Sequence, residues 1–211
     1  MEKAGKMQNN KQGEEKMIIG LTGGSGTGKS TASRFFEERN FLIIDCDRIA
    51  RDVGSPGEEC LCEIAESFGR DVIDCDGSLK GRELASVVFS DRDKLRLLNS
   101  ITHKHIVKRI HNILEEIRYK NVVIDAPLLF EAGLEDLCDI TVAVLSHPQN
   151  RAERICKRDG ISEKEAKARI SSQQPDSYYE ERCTYIIENN EDVDSLTAKL
   201  NVLFGGINGK E

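Results

Sequence analysis

The residues Gly23-Gly24-Ser25-Gly26-Thr27-Gly28-Lys29-Ser30-Thr31 have the spacing G-x-x-x-x-G-K-[ST]. Glycines at these intervals let successive backbone N–H groups turn inward around an oxyanion. Lys29 supplies a point charge for β- and γ-phosphates, and Ser30 a hydroxyl for Mg²⁺. The context is right for this chemistry. An apolar run at 17–22 leads directly into the loop, and Ala32, Phe35 and Phe36 mark the buried face of a helix behind it. The N-terminus of such a helix favours an anion. A nucleoside triphosphate is therefore expected on Gly24, Ser25, Gly26, Thr27, Gly28, Lys29, Ser30 and Thr31. The reaction is not fixed by the loop alone. A guanine-reading Asn-Lys-x-Asp is missing after the loop, since Asn10-Lys11 precedes it, and a chain of 211 residues has no room for the machinery of a motor ATPase. A small-molecule kinase is the class that remains.

A second set of chemically competent residues stands at Asp45-Cys46-Asp47, where the apolar run 41–45 ends. In a parallel sheet the C-terminal strand ends face the ligand crevice, so these carboxylates belong beside the phosphate loop. A carboxylate there either accepts the proton of an attacking hydroxyl or orders Mg²⁺ through water. Strand alternation puts Asp45 and Asp47 on similar sides with Cys46 turned away. The competing reading is a pair of capping carboxylates at the start of a helix. Arg51 is either a ligand for substrate phosphate or the partner of a surface acid. The run Val122-Val123-Ile124-Asp125 ends in a third carboxylate, which either joins Ser30 in holding Mg²⁺ indirectly or caps a turn. Arg151, Arg154 and Arg158, spaced i, i+3 and i+7, share one helix face, and Arg169 follows after Asp159-Gly160. They either reach the phosphates or form a solvated face paired with Glu153, Glu163 and Glu165, a reading that fits Arg151 best.

The elements that position these groups are visible as alternation. Short Ile- and Val-rich runs at 17–22, 41–45, 121–125, 140–146 and 185–188 are strand-length and read as strands covered on both faces. Between them lie amphipathic stretches. Ile106, Ile110, Ile113, Leu114 and Ile117 line one face of a helix, and Ser162 with Glu165 forms a capping box. Strand, crossover helix, strand predicts a parallel α/β sheet. Residues 48–118 carry mostly helical signals and are too long for one crossover, so they form an inserted helical subdomain. Phe68 and Phe89 are assigned to its core. Residues 1–16 are polar and aperiodic and read as a disordered extension, and 205–211 as a flexible C-terminus.

Composition excludes several classes. Thirty Lys and Arg against 37 Asp and Glu give a net charge of −7, which argues against a nucleic-acid partner. No apolar run approaches the roughly 18 residues of a membrane span, and 1–16 contain no signal-peptide core. Seven cysteines, scattered without zinc-like spacing, read as reduced thiols of a cytoplasmic protein. Nothing in the sequence sets the oligomeric state.

Taken in order, the motifs resemble the dephospho-CoA kinase family. The similar segments are 19–30, Asp45-Cys46-Asp47, Ala50-Arg51-Asp52-Val53, Pro56-Gly57, Asp76-Gly77-Ser78-Leu79, 88–91, Pro127-Leu128-Leu129-Phe130-Glu131, Arg158-Asp159-Gly160, Ala168-Arg169-Ile170 with Gln173, and Ile187-Glu188-Asn189. They run unbroken over about 17–204. The chain departs from the family pattern at Lys104, where proline usually follows the histidine, at Gly81, and at Glu188. The resemblance implies a P-loop three-layer α/β/α fold with a five-stranded parallel sheet, a helical substrate-binding insertion at about 48–118 and a short helical lid at about 148–175.

The resemblance also implies ATP and Mg²⁺ as cofactors, and transfer of the γ-phosphoryl group to the ribose 3′-hydroxyl of dephospho-CoA, the last step of coenzyme A synthesis. Carried onto this chain, it makes Asp47, Lys29 and Arg158 catalytic. It adds Arg154, Arg158 and Asn189 to the ATP contacts, and assigns Asp47, Arg51, His103 and Leu128 to the substrate. Ser30, Asp45 and Asp125 fall to the metal, with Asp47 preferred over Asp45 for the hydroxyl. A nucleoside monophosphate kinase and a non-catalytic nucleotide-binding module are the rival readings; the carboxylates at Asp45 and Asp47 argue against the second.

Overall fold

The structure is a computed structural model that describes residues 16–88, 90–117 and 120–208. Residues 1–15 of the extension expected at 1–16, and Phe89, lie outside the described residues. Each apolar run forms a strand: β1 Ile18–Thr22, β2 Leu42–Asp45, β3 Val122–Asp125, β4 Ile140–Leu145 and β5 Tyr185–Glu188. They make one sheet in the order β2-β3-β1-β4-β5, with every neighbouring pair parallel. In this register β2 and β3 end level, with Asp45 opposite Asp125.

The helices are α1 Lys29–Glu37, α2 Cys46–Val53, α3 Glu59–Phe68, α4 Gly81–Val88, α5 Arg92–Glu116, α6 Pro148–Asp159, α7 Glu163–Ser171, α8 Asp176–Glu180 and, after the last strand, α9 Val193–Asn208. They cover both sheet faces, as the unbroken apolar character of the strands requires. Strand alternation divides β3 between two cores. Val122 and Ile124 join Ile44, Ile49, Ile106, Ile110, Leu129 and Leu134 on the face of the insertion. Val123 joins Ile19, Leu21, Phe35, Phe36, Val142, Val144, Leu196 and Leu200 on the other. In β1, a Cβ at Gly20 would come within 2.8 Å of the Cys138 sulfur and 2.9 Å of Leu129, so only glycine admits this close packing.

The insertion consists of α2 to α5 and a small turn closed by the Ile73–Leu79 bridge. Helix α5 runs for 25 residues, started by Asp91, whose carboxylate accepts from the backbone N–H groups of Asp93 and Lys94. It carries the predicted Ile106 and Ile110 into the core, with Ile113 and Leu114 packed against it. Glu58, Glu59 and Glu63 meet Arg109, Lys108 and Lys104 across the gap between α3 and α5. His105 is buried and bonds the Glu63 carboxylate at 2.8 Å.

Two local expectations are corrected. The second strand ends at Asp45, and helix α2 begins at Cys46, so Asp47 lies in the first turn of a helix. The sidedness argued from strand alternation does not apply to it. The C-terminal helix also continues through Gly205 and Gly206 to Asn208, because Leu203, Phe204 and Ile207 still pack on the core.

Candidate active site

The phosphate loop lies between β1 and α1, in a cleft of about 450 Å³ at the C-terminal ends of the strands. The cleft is lined by Gly24, Ser25, Gly26, Gly28, Lys29, Ser30 and Thr31 from the loop, Asp47 from α2, and Arg154 and Arg158 from α6. This is the placement expected for a parallel sheet. Gly26 takes φ 79°, and a Cβ there would come within 2.7 Å of the Arg151 carbonyl. The loop can pass so close to α6 only without a side chain.

The loop's carbonyls are held from behind. Asn189, buried at the end of β5, donates from Nδ2 to the Thr27 carbonyl at 2.7 Å. Arg154 donates to the Gly26 carbonyl at 3.3 Å, to Ser146 Oγ at 3.2 Å, and to the Asn189 and Glu191 carbonyls at 3.1 and 3.2 Å. With carbonyls fixed this way, those N–H groups of the loop that are not bonded within the protein, as the Ser25 and Thr27 N–H groups are, are left for an anion. Thr27 is buried and Asn189 stands behind the cleft wall, so these two expected ATP residues shape the loop in this structure.

Lys29 forms an ion pair with Asp125, and the two side chains are only 18% and 13% exposed. Asp45 caps α2, its carboxylate accepting from the Arg48 N–H at 3.0 Å, which is the capping alternative that its position allowed. Asp45, Asp47 and Asp125 surround Cys46. Burial, followed by the negative charge of Asp125, Asp45 and Asp47, pushes its thiol up to about 12, with Lys29 opposing. Cys46 is therefore an inert packing residue. Among the described residues, no group of three or more His, Cys, Asp or Glu is arranged to hold a metal by itself. Mg²⁺ suits a sparser donor set, one hydroxyl and one or two carboxylates completed by water and nucleotide phosphates. Ser30 in the cleft, with Asp125 beside Lys29, meets that description.

The segment at about 148–175, expected as a lid, contains α6 and α7. They are joined at Gly160, which ends α6 with φ 67°, and the Ser162–Glu165 capping box starts α7. Arg158 and Arg169 both bond the Asp159 carboxylate, which they hold down to about 2. Arg158 is exposed at the mouth of the cleft.

Arg151 differs from its expectation as part of a solvated face. It is 4% exposed, donates from Nε to the Ser25 carbonyl at 3.0 Å and from Nη2 to Gln173 Oε1 at 2.6 Å. Burial lowers its affinity for the proton, with Asp176 at 3.9 Å opposing, and a guanidinium stays charged under such conditions. Gln173 Oε1 also accepts from the Ser25 N–H at 2.9 Å. The two residues are 22 apart, and only the turn from α6 to α7 brings them together, so spacing could not pair them.

The remaining candidates are scattered. Leu128 is 54% exposed and lines a second cleft, of about 250 Å³, with Gly23, Gly24, Pro127, Glu131, Gln173 and Tyr179. Its neighbour Leu129 is fully buried in the core. Arg51 is exposed on α2 and His103 half-buried on α5, and neither lines the two clefts.

A parallel sheet in the order β2-β3-β1-β4-β5, with a glycine loop ending in Lys29-Ser30 after its central strand, defines a P-loop nucleotide-binding protein of the three-layer kinase type. The model of the family described as dephospho-CoA kinase matches residues 17–195. Dephospho-CoA kinase of Lactobacillus johnsonii is 40% identical over 189 residues, covering 88% of this chain and 96% of its own. That of Carboxydothermus hydrogenoformans is 39% identical, covering 87% and 90%. A crystal structure from Thermus thermophilus superposes with a TM-score of 0.77 at 28% identity, covering 92% of this chain and 99% of that one. The chain belongs to the dephospho-CoA kinase family.

Proposed function

We propose that the chain transfers the γ-phosphoryl group of ATP to the ribose 3′-hydroxyl of dephospho-CoA, giving coenzyme A and ADP. The observation that carries this reading is one cleft lined together by Asp47, by Lys29 and Ser30 of a phosphate loop, and by Arg158 of α6. The hydroxyl oxygen forms a bond to the γ-phosphorus while the bond to the β-bridging oxygen breaks. The hydroxyl proton passes to Asp47 and then to water. Lys29, released from Asp125 by the stronger field of the phosphates, neutralises charge at the β- and γ-phosphates. Arg158 swings from Asp159 to the same oxygens when α6 and α7 close, which also excludes water. Arg154 and Asn189 serve ATP by shaping the loop.

Ser30, Asp125 and Asp45 would hold Mg²⁺, which would supply charge neutralisation to the nucleotide phosphates. The acceptor's arm fits the second cleft along Leu128 and Pro127, while Arg51 and His103 would touch only parts of the substrate that extend beyond both clefts. Among the described residues no helix is long and apolar enough to cross a membrane. Seven free thiols suit the reducing cytoplasm, where we place the enzyme.

The test is to mix the protein with ATP, Mg²⁺ and dephospho-CoA and detect coenzyme A by mass, with AMP and CMP as competing acceptors. Formation of coenzyme A with neither nucleotide phosphorylated is expected; phosphorylation of AMP or CMP instead overturns the substrate assignment. Asp47→Asn is expected to lower kcat about 10²–10⁴-fold with ATP affinity retained. Equal losses in turnover and ATP affinity would move Asp47 from proton acceptor to binding group.

A further inference from the structure

Gln173 stands at the seam of the molecule. It follows the C-terminal end of α7, and lines both the phosphate-loop cleft and the smaller cleft beside Leu128 and Pro127. Two donors converge on one atom of its side chain, the Ser25 N–H at 2.9 Å and the Arg151 guanidinium at 2.6 Å. Neither can accept a hydrogen bond, so the atom they meet must be the amide oxygen. This fixes the orientation of an amide whose two ends are otherwise nearly alike. The NH₂ group must then face away from Ser25 and Arg151. It has no hydrogen-bond partner among the described residues, and it is not sealed from solvent, since Glu135 Oε2 is the buried side-chain polar atom left unpaired there.

Resting on the kinase reading above, we propose that the Gln173 NH₂ group is a hydrogen-bond donor to the terminal phosphoryl group of ATP as it passes from the loop to the acceptor. The acceptor must approach that group from the side away from the loop, across the boundary Gln173 forms between the two clefts. Arg151 acts through Gln173. It does not reach the phosphates; it fixes the carbonyl end and so aims the donor. Gly24 leaves the space for this arrangement, because a Cβ there would come within 2.8 Å of Gln173 Oε1. An oriented donor facing charge that develops in transfer acts on turnover more than on binding.

Gln173→Glu separates the two ends of the side chain. A carboxylate still accepts from Ser25 and Arg151, so the loop remains braced and the melting temperature is retained, but the donor becomes an acceptor facing the phosphoryl group. The expected result is kcat lowered about 10²–10³-fold, ADP affinity within twofold of wild type, and ATP affinity weakened relative to ADP. Gln173→Ala removes both ends, and is expected to weaken ADP and ATP together as the loop loses its brace. A Gln173→Glu protein that turns over at the wild-type rate, or loses ADP and ATP equally, or melts early, overturns the proposal. The ADP-to-ATP affinity ratio needs no acceptor. If the wild-type chain makes no coenzyme A, the reaction assignment fails while that ratio still decides the role of Gln173.

Discussion

At the level of single residues, the proposed mechanism turns on a contest for Lys29. Its ammonium is mostly shielded from water and paired with Asp125 before any phosphate arrives. That pairing keeps a buried charge satisfied and holds the side chain in the place the proposed mechanism needs, so little rotamer freedom would remain to be lost on binding. Lys29→Ala is expected to lower kcat at least about 10³-fold, with the far-ultraviolet circular dichroism spectrum retained. Turnover within tenfold of wild type would remove the lysine from the chemistry. Arg151 shows the opposite use of charge. It lies 4% exposed among loop carbonyls, and its charge holds backbone in place. Its role was hidden in the sequence because arginines at 151, 154 and 158 share one spacing, yet the first is buried, the second half-buried and the third exposed.

At the level of elements, α6 and α7 are held together by Asp159, to which Arg158 of α6 and Arg169 of α7 both donate. These bonds favour the ionised carboxylate and bring it to about 2, below the ordinary aspartate range near 3.8. A carboxyl group depressed in the folded state stabilises it fully above the ordinary value and loses that contribution as pH falls towards about 2. The α6–α7 clasp is thus expected to persist at pH 5 and open between about pH 4 and 2, which an NMR titration of the Asp159 carboxyl carbon would follow. A midpoint near 4 would mean that the two arginines do not hold it in solution.

The strands were legible in the sequence because each is a short Ile- and Val-rich run, and the capping box of α7 because Ser162 and Glu165 carry it locally. The phosphate loop was legible for the same reason. The start of α2 was misplaced because Asp45-Cys46-Asp47 suits a strand end as well as a helix cap, and only the hydrogen bond from Arg48 decides between them. The Arg151–Gln173–Ser25 contact joins three elements and leaves no local trace.

At the level of the whole molecule, two cores lie on opposite faces of one sheet, and α5 joins the insertion to the catalytic layer. Ile110, fully buried, is packed with β3 and with the helices of the insertion. Ile110→Ala is expected to cost about 2–5 kcal/mol, a fall in Tm of roughly 5–15 °C in calorimetry, with ATP affinity unchanged well below the transition. A shift of under 2 °C would mean that the insertion is stabilised independently of this core.

The braces of the phosphate loop carry a consequence for how the molecule is made. The loop occupies residues 23–31, but Arg151, Arg154 and Asn189 hold its backbone from 126 to 162 residues further on. During synthesis the loop leaves the ribosome early with its carbonyls untethered. At about 5–20 residues per second, several seconds or more pass before Asn189 is polymerised. The nascent chain therefore carries the phosphate-binding motif long before it carries the residues that brace it, and nucleotide affinity is expected to arrive only once the segment around β5 is in place.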